Sequence, residues 1–445
     1  MTLAVPQDLP SRRPWLRAFL WIAGLGVLFY TSYPLANYLA DQRAFVPSIV
    51  FGWEKGMPFL PWTIIPYWSI NLFYAASLFF CATKTEVDTL GRRLLTAQLI
   101  AVTCFILFPL RFSFAKPEIG GGLPGFLFQA LMSFDKPYNQ APSLHIALLV
   151  ILWAHYISFI PAWVRWAWHL WCALIGVSVL TTYQHHFFDI PTGALLGLFC
   201  LWLWPDAPDG ARVTPVQRAK RLKLAGFYTL GAVLLAILGI ALGGWGLWLC
   251  YPAASLTLVA ANYLWRGAAG FQKRPDGSMP LADRLLFAPY QLGAFLNSRW
   301  WTRTAPAPAE ILPGLFLGRI PSWFDRPAAS FGTIVDLCAE LPARRGRGTV
   351  EAFPLLDLVA PAPAILAEAA KSIEAARASG TVLACCALGY SRSAAVVATW
   401  LLQSGRAGTV EEAIGIIRAV RPAIVLGPDA RAAIAAVGKT GKADG

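Results

Sequence analysis

The sequence predicts a polytopic α-helical membrane bundle followed by a cytosolic α/β domain. Two observations predict this architecture. First, 57% of the 445 residues are hydrophobic and only 14% are charged, which is too apolar a composition for a soluble protein. Second, the composition changes near residue 300, where long Trp- and Leu-rich stretches give way to an Ala-rich segment with the charge density of a cytosolic domain. A wholly soluble or disordered chain is therefore excluded.

Eight apolar stretches are long enough for membrane spans, because a helix needs about 20 residues to cross a hydrocarbon core of about 30 Å. They lie at residues 15–39, 60–83, 94–111, 143–162, 164–182, 188–205, 223–242 and 245–265. Three glycines at 243, 244 and 246 indicate a break between the last two stretches. The first stretch is too long for the core of a secretory signal, so we expect it to be retained as a span.

The loop charges predict the orientation of these spans. Loops of one parity carry twelve Lys and Arg residues and loops of the other parity carry five. The positive-inside bias places the richer set in the cytoplasm. We therefore expect a multi-pass protein of a bacterial inner membrane, with both termini cytoplasmic and with loops 40–59, 112–142 and 183–187 facing outward.

The net charge of +13 and the eight cysteines exclude other classes of function. Thirty-seven Lys and Arg residues against 24 Asp and Glu residues would suit nucleic acid, but membrane topology accounts for the basic loops, so we expect no nucleic-acid partner. The cysteines are spread thinly and form no C-x-x-C pair. The sequence therefore predicts neither a disulfide framework nor a metal site, and no cofactor is expected.

We divide the chain into six segments. They are an N-terminal span and outward loop (1–59), a membrane core (60–205), two additional spans (206–265), an interfacial connector (266–307), an α/β domain (308–437) and a tail (438–445). In the connector, Leu, Phe and Trp alternate with polar residues, which favours an amphipathic helix on the inner leaflet.

Two histidines lie at the outer ends of predicted spans. His145 ends the run Pro-Ser-Leu-His after the longest outward loop, and His185 closes the next outward loop, four residues before Asp189. Ionisable groups at membrane depth indicate function by default. One imidazole can attack phosphorus while the other protonates the leaving alkoxide, provided that a carboxylate orients the attacker and cations hold the phosphate. The cations of the outward loop are Arg111, Lys116 and Lys136.

The alternative for this pattern is a structural, histidine-rich turn. The same structural role is the expectation for His155 and His169, which lie within predicted spans among Trp and Ala residues.

The outward pattern resembles the type 2 phosphatidic acid phosphatase superfamily over residues 60–205. The resemblance rests on PSLH and on His-x-x-x-Asp-Ile some forty residues later. It implies a six-helix core without metal, with His145 as acid on the leaving group, His185 as the nucleophile, Asp189 orienting that nucleophile and Ser143 contacting the phosphate.

This resemblance has two departures and one refinement. The family's Lys-x6-Arg-Pro motif is present only as Arg111 to Pro117, and Val179 stands where an Arg is expected. The doubled histidine also resembles the inositol-phosphotransferase branch, in which the acceptor is a lipid hydroxyl instead of water. Phosphatase and transferase therefore both remain open for the outward site.

A second site is predicted at residues 381–402. An apolar β pattern leads through Cys386, Gly389, Ser391 and Arg392 into a helical pattern. A strand, a loop and a helix N-terminus together form an anion cradle, which favours the thiolate of the cysteine that opens the loop. Arg392 can bind two phosphate oxygens. The alternative for Cys386 is a buried structural thiol.

A phosphate ester also needs a proton on its leaving group. Asp357 lies where an apolar strand opens into a Pro-bearing loop, which suits a general acid on a movable flap. Its alternative role is the N-cap of the helix that follows.

Residues 308–437 resemble the dual-specificity branch of the cysteine-dependent phosphatases. The resemblance implies Cys386 as nucleophile, Arg392 as phosphate clamp, Asp357 as general acid and Ser393 as a helper in releasing the cysteinyl-phosphate. Gly389 and Ser391 belong to the phosphate-binding loop. Cys385 replaces the histidine that usually precedes the nucleophile; a small core residue is expected there, and a strained disulfide with Cys386 is the other possibility.

The sequence thus predicts a bifunctional membrane phosphatase acting on phosphorylated lipids. Its outward site would use histidine, and its cytoplasmic site would use cysteine to dephosphorylate phospholipid head groups. The alternatives are a lipid head-group phosphotransferase fused to a protein tyrosine/serine phosphatase that acts on phosphoproteins, or a chain in which one half is a degenerate binding module.

Overall fold

The computed structural model describes residues 13–206, 217–322, 331–343 and 348–440, with side chains as far as residue 437. The predicted tail at 438–445 therefore lies mostly outside the described residues. The chain divides into two compact units, Met1–Pro208 and Asp209–Gly445. The last two apolar stretches thus share a compact unit with the α/β domain.

The first unit contains seven α-helices in its described residues. They are α1 (Trp15–Asp41), α2 (Ile64–Phe80), α3 (Lys84–Leu107), α4 (Gly122–Met132), α5 (Leu144–Ile157), α6 (Arg165–Thr181) and α7 (Asp189–Leu203). Two glycines let α5 and α7 pack closely. A Cβ at Gly193 would lie 2.5 Å from the carbonyl oxygen of Ser143, and a Cβ at Gly197 would lie 2.7 Å from that of Ala147. This close packing brings the N-termini of α5 and α7 together.

The second unit begins with a pair of apolar helices, α8 (Arg218–Leu242) and α9 (Cys250–Ala261), joined by a 3₁₀ turn at Gly244–Leu249. A π turn at Asn262–Arg266 follows α9, and two further helices, α10 (Leu281–Leu286) and α11 (Ala288–Trp301), form the connector. We call α8, α9 and the turn between them the hairpin.

The α/β domain is a five-stranded sheet flanked by helices. Its strands are β1 (Ala309–Leu312), β2 (Leu315–Arg319), β3 (Thr333–Cys338), β4 (Thr349–Leu355) and β5 (Val382–Cys386). Its helices are α12 (Pro363–Arg377), α13 (Arg392–Gln403), α14 (Val410–Val420) and α15 (Pro428–Thr440). The strand order is β1-β2-β5-β3-β4, with only β1 antiparallel to its neighbour. Strands β3 and β5 are buried along their whole length, as expected for parallel strands covered on both faces.

Five helical segments are long and apolar enough to cross a membrane, judged by length and composition among the described residues. They are Trp15–Asp41, Pro61–Phe80, Lys84–Leu107, Arg218–Leu242 and Gly244–Phe271. Shorter apolar helices lie at Gly122–Met132, Leu144–Ile157 and Asp189–Leu203. Helix α4 lies inside the segment 112–142, which was predicted as an outward loop without a helix.

Two predicted boundaries differ from the structure. The third apolar helix begins at Lys84, ten residues before the predicted 94, because Thr83 caps it: its hydroxyl accepts the Glu86 N–H, and the Glu86 carboxylate accepts the Ala82 N–H. The connector forms two helices instead of one, because Pro289 lies in the first turn of α11 and a proline inside one continuous helix would remove a hydrogen bond.

A buried ion pair attaches the connector to the sheet. Lys273 forms a salt bridge with Asp336 of β3, and both side chains are fully buried. The Lys273 ammonium also donates to the carbonyls of Cys338 and Leu341. Removing one partner of a buried pair costs about 3–5 kcal/mol, so this contact holds the connector against the α/β domain.

Candidate active sites

The loop after β5 is built as an anion cradle around a thiol. Cys386 ends the strand and is 2% exposed. The Gly389 N–H donates to Cys386 Sγ at 3.2 Å, and the Ser393 hydroxyl donates to the same sulfur at 3.3 Å. Donors that point at the sulfur stabilise a thiolate and surround the position of a bound phosphate.

Gly389 is required by the geometry of this loop. Its φ of +75° lies in the left-handed region, and a Cβ there would lie 2.4 Å from the carbonyl of Gly318. Any other side chain would clash with backbone, which fixes both the residue and the loop path. Ser391 is the exposed residue that precedes α13.

Arg392 begins α13 and is held by two carboxylates. Its guanidinium donates to both oxygens of Glu340 at 2.7 Å, and Nη2 lies 3.2 Å from Asp357 Oδ1. Burial opposes both charges, but their mutual attraction outweighs it, so the pKa of Glu340 lies below its usual value and that of Arg392 above. A fixed, charged Arg392 is ready to bind two phosphate oxygens.

Asp357 lies at the mouth of the cradle. Its side chain is 34% exposed and reaches Arg392. Helix α12 begins at Pro363 after Ala362, with no side-chain cap, so Asp357 is not a helix N-cap. Cys386, Arg392, Asp357 and Ser393 therefore lie around one loop.

Sequence reasoning misses two residues of this site. Glu340 follows β3 and orients Arg392. Arg421 is buried and donates to the carbonyls of Gly389 at 3.0 Å and Leu388 at 3.3 Å, so it supports the loop from behind. A lone acidic residue after a buried strand is the only sequence signal for Glu340, and a lone Arg before a proline is the only one for Arg421.

Cys385 faces away from the cradle. It packs in a core cluster with Ile334 and Leu383, whereas Cys386 packs in the cluster on the other side of β5, because successive strand residues alternate in direction. Both cysteines are free thiols. Burial and then Asp336 raise the pKa of Cys385 well above its ordinary value, which keeps this thiol neutral.

The comparison with known families agrees with this geometry. Residues 353–437 match the family model described as "Dual specificity phosphatase, catalytic domain". The chain carries a dual specificity phosphatase domain. The matched residues include Asp357 and the whole loop from Cys386 to Arg392.

Three solved structures are each similar to about a third of the chain. A crystal structure of PTPMT1 is 20% identical, covers 31% of this chain and 98% of its own, and has a TM-score of 0.29. Human DUSP28 is 23% identical, with coverages of 31% and 99% and a TM-score of 0.29. The active form of Tk-PTP is 27% identical, with coverages of 30% and 98% and a TM-score of 0.28. No curated protein matches the sequence.

The first unit brings the predicted histidine site together. His185 Nδ1 lies 3.1 Å from Asp189 Oδ2, and His185 Nε2 lies 3.1 Å from Ser143 Oγ. The Ser143 N–H also donates to the Asp189 carbonyl at 3.2 Å. All three side chains are buried. Asp189 therefore holds one ring nitrogen and directs the other toward Ser143, which is the arrangement a nucleophilic imidazole needs.

His145 lies beside this group with a free ring nitrogen. Its Nε2 has no hydrogen-bond partner among the described residues, and its ring stacks on Tyr67 with centroids 4.2 Å apart. Asn139 Oδ1 and Gln140 Oε1 are also buried without a hydrogen-bond partner among the described residues. An unpaired buried polar atom is expensive, so His145 Nε2 is available to a polar partner.

The three expected cations divide between two places. Lys136 forms an exposed salt bridge with Asp41 at 2.9 Å. Arg111 is also exposed, and its charge interacts with the same Asp41 carboxylate. Lys116 is half-buried and lies within electrostatic reach of Asp135, as His185 does. Lys116 and His185 therefore share Asp135 as an electrostatic neighbour.

Burial shifts the pKa values of Lys116 and Asp135. It lowers the pKa of Lys116, which Asp135 partly offsets, and it raises the pKa of Asp135, whose Oδ1 accepts a bond from the Tyr33 hydroxyl at 3.0 Å. Val179 is fully buried in apolar contacts.

Three further residues support the loop that carries His185. His186 Nδ1 lies 2.9 Å from Glu54 Oε2, and its Nε2 lies 3.1 Å from Ser113 Oγ and accepts the Ser113 N–H. Glu54 also accepts the N–H groups of Phe51 and Phe187. Sequence reasoning misses this role of Glu54, which lies 131 residues before His185 in a short 3₁₀ turn.

The remaining histidines have structural partners. His155 Nε2 lies 3.0 Å from the Ser77 carbonyl, and His169 accepts the Trp153 indole N–H at 2.9 Å. Neither belongs to the site.

Proposed function

We propose that the chain is an integral membrane phosphatase that removes phosphate from phosphorylated lipids at Cys386. The observation that carries this proposal is a complete thiol phosphatase site, with Arg392 and Asp357, in the same compact unit as two apolar helices of membrane-spanning length.

The reaction follows from the geometry of the loop. Cys386 Sγ attacks the phosphorus, so an S–P bond forms and the P–O bond to the alcohol breaks. Asp357 gives its proton to the departing alkoxide, while Arg392 and the loop N–H groups hold the other phosphate oxygens. Water, deprotonated by Asp357, then attacks the cysteinyl-phosphate and releases inorganic phosphate. The Ser393 hydroxyl, 3.3 Å from the sulfur, stabilises the departing thiolate.

Helix α11 supports a membrane substrate over a soluble one. Phe295 and Ala294 pack against the phosphatase core, whereas Leu292, Leu296 and Trp300 are 57–63% exposed. An exposed apolar face on a helix next to basic residues is typical of interfacial helices. From the loop charges we expect this face, and Cys386, on the cytoplasmic side.

We further propose that the first unit carries a separate phosphoryl-transfer site that faces outward. The pair formed by His185 and Asp189 and the free Nε2 of His145 support this role. His185 would form the phosphohistidine and His145 would protonate the leaving group. Water or a lipid hydroxyl would then accept the phosphoryl group.

Purified full-length protein in detergent micelles tests the cytoplasmic proposal. Short-chain phospholipids with a monoester phosphate on the head group are the substrates. We expect phosphate release that Cys386→Ser abolishes and His185→Ala retains. Activity confined to phosphopeptides would instead support a protein phosphatase, and loss of release in His185→Ala alone would assign the reaction to the first unit.

A thiol-labelling experiment tests the orientation. A membrane-impermeant maleimide applied to spheroplasts should leave a cysteine introduced at Leu292 unlabelled until the membrane is opened. A cysteine introduced at the exposed Lys136 should be labelled at once. Labelling of both positions from the same side would overturn the proposed topology.

A further inference from the structure

An open cavity of about 340 Å³ adjoins the cysteine site. Its catalytic side is formed by Asp357, Glu340 and the loop residues Ala387 and Leu388. The rest of its lining comes mainly from the hairpin and α11, through Tyr228, Leu256, Tyr290, Gly293 and Asn297. The volume is in the range of small-molecule sites, about 300–1,000 Å³.

The chemistry of the reaction determines what must occupy this cavity. In an in-line displacement at phosphorus, the nucleophile and the leaving group lie on opposite sides of the phosphate. The leaving oxygen must also come within hydrogen-bond reach of Asp357, which protonates it. Because Asp357 lines the cavity, the alcohol of the substrate lies in the cavity when the phosphate lies in the Cys386 loop.

We propose that this cavity binds the hydroxylated alcohol of a phospholipid head group, so that the hairpin and α11 select the substrate. This inference rests on the proposed function of the cysteine site. It adds that residues outside the dual specificity phosphatase domain form most of the specificity pocket.

The lining suits such a head group. The phenol groups of Tyr228 and Tyr290, whose rings meet edge to face with centroids 5.7 Å apart, and the amide of Asn297 can bond to hydroxyls. Pro252 and Leu256 offer apolar contact to the carbon skeleton. A pocket with a few polar groups on an apolar wall binds and orients a small polar ligand.

The position of Tyr228 also favours a lipid. It lies ten residues into α8, which is about 15 Å along the helix axis, and five residues after Lys223, the last basic residue of that helix. Tyrosines at this level of a spanning helix lie among lipid head groups. The residues of α8 beyond Tyr228 expose Leu230, Leu234 and Ile237, which leaves an apolar surface for acyl chains.

The hairpin is attached directly to the acid-bearing loop. The Tyr263 hydroxyl, after α9, donates to the Asp357 carbonyl at 3.0 Å, and Gln217, before α8, accepts the Ala360 N–H at 2.9 Å. Arg221 of α8 donates to the Tyr263 carbonyl at 2.8 Å. The wall of the cavity and the proton donor are therefore one connected structure.

Gly293→Leu tests the inference by filling the cavity. A Cβ at Gly293 would meet no atom within 4 Å, and replacing a helical glycine favours the helix, so the variant should fold. Gly226→Leu is the matched control, because Gly226 of α8 is also open and exposed but does not line the cavity. Both full-length variants are assayed in lipid nanodiscs on a glycerophosphate-headed phospholipid and on p-nitrophenyl phosphate.

We expect Gly293→Leu to lower the ratio of kcat/KM for the phospholipid to kcat/KM for p-nitrophenyl phosphate at least tenfold. Gly226→Leu should keep the wild-type ratio. Asn297→Ala should also lower the preference for a polyol-headed phospholipid over phosphatidic acid, which lacks the head-group alcohol.

Each outcome separates the inference from the function on which it rests. A wild-type protein that hydrolyses the phospholipid, together with an unchanged ratio in Gly293→Leu, overturns the inference alone. A ratio lowered equally by Gly226→Leu also overturns it. A wild-type protein that hydrolyses only phosphopeptides overturns the proposed function, and the inference falls with it.

Discussion

Tyr263 lies in the turn after α9 and is 1% exposed, and its hydroxyl donates to the main-chain carbonyl of Asp357 at 3.0 Å. The next residue, Leu358, has a φ of +58°, an unfavourable conformation for a side chain with a branched γ-carbon. Tyr263→Phe removes the hydroxyl and keeps the ring, so it loosens the acid-bearing loop without opening the core.

The expected size of the effect follows from this single bond. A neutral hydrogen bond contributes about 0.5–1.5 kcal/mol, which corresponds to a rate change of about two- to thirteenfold. The loss should appear only where protonation of the leaving group limits the rate. An alkyl phosphate needs that proton from Asp357, whereas the p-nitrophenolate ion leaves without it.

The assay compares kcat/KM for a short-chain phospholipid with kcat/KM for p-nitrophenyl phosphate, because kcat/KM reports formation of the cysteinyl-phosphate and leaves out its hydrolysis, in which Asp357 is the base. Tyr263→Phe should slow the first reaction and leave the second within about twofold. Tyr251→Phe is the matched control, because this hairpin tyrosine donates to the Leu285 carbonyl in the connector and not to the acid-bearing loop. Equal losses on both substrates would show that Tyr263 does not act through Asp357, and an equal effect of Tyr251→Phe would show that the hairpin acts only through general stability.

Three further predictions concern the thiols of β5, the carboxyl of Asp283 in α10 and the lysines of the first unit. Cys386→Ser should abolish phosphate release, whereas Cys385→Ser should retain most of it, because Cys385 is a neutral thiol on the other face of β5; equal losses in malachite-green assays would contradict this. Burial raises the pKa of Asp283 to about 8, so folding favours its protonated form, and stability is lost as the pH rises from about 4 toward 8. Asp283→Asn should therefore raise Tm, by an amount that grows between pH 5 and pH 8, and a gain independent of pH would refute the assignment. Lys116→Ala should lower the yield of phosphohistidine at His185 about tenfold or more, and Lys136→Ala should not, as measured by acid-labile phosphate after a lipid pulse; the reverse order would contradict the placement of the two lysines.

The local patterns of the sequence predict the cysteine site well. The loop from Cys386 to Arg392 needs a particular glycine and a following helix. Both requirements are local, so a pattern of seven residues is enough to predict them. Asp357 was also found, because a strand end followed by prolines marks a loop. Glu340 was missed because its contact with Arg392, 52 positions later in the chain, depends on strand β3 lying beside β5. No local pattern in the sequence encodes that pairing.

The histidine site was predicted in part for the same reason. His185 and Asp189 are one helical turn apart, so their contact follows from spacing. The division of the three cations does not, because the partners of Lys136 and Lys116 are fixed by the fold of a long loop. Asp41 pairs with Lys136, and Asp135 interacts with Lys116. Neither carboxylate belongs to a recognisable motif.

The role of the hairpin could not be predicted from composition. The hydropathy of the hairpin indicates two spans. The sequence alone predicts that they end at residue 265 and form a segment separate from the α/β domain. The compact unit that joins them depends on side chains such as Tyr263 and Lys273, which are ordinary interfacial residues in the sequence. Polar side chains near the ends of apolar helices thus make tertiary contacts that hydropathy does not predict.

Rapid quench in denaturant at neutral pH of the full-length protein with a phospholipid labelled in its monoester phosphate, followed by mass spectrometry of the peptides that carry Cys386 and His185, tests the central assignment most directly. We expect the phosphate on Cys386 within the first turnover and its absence in Cys386→Ser. Phosphate that is found only on His185, or that reaches Cys386 only from a phosphopeptide, would contradict the assignment of the cytoplasmic site to lipids.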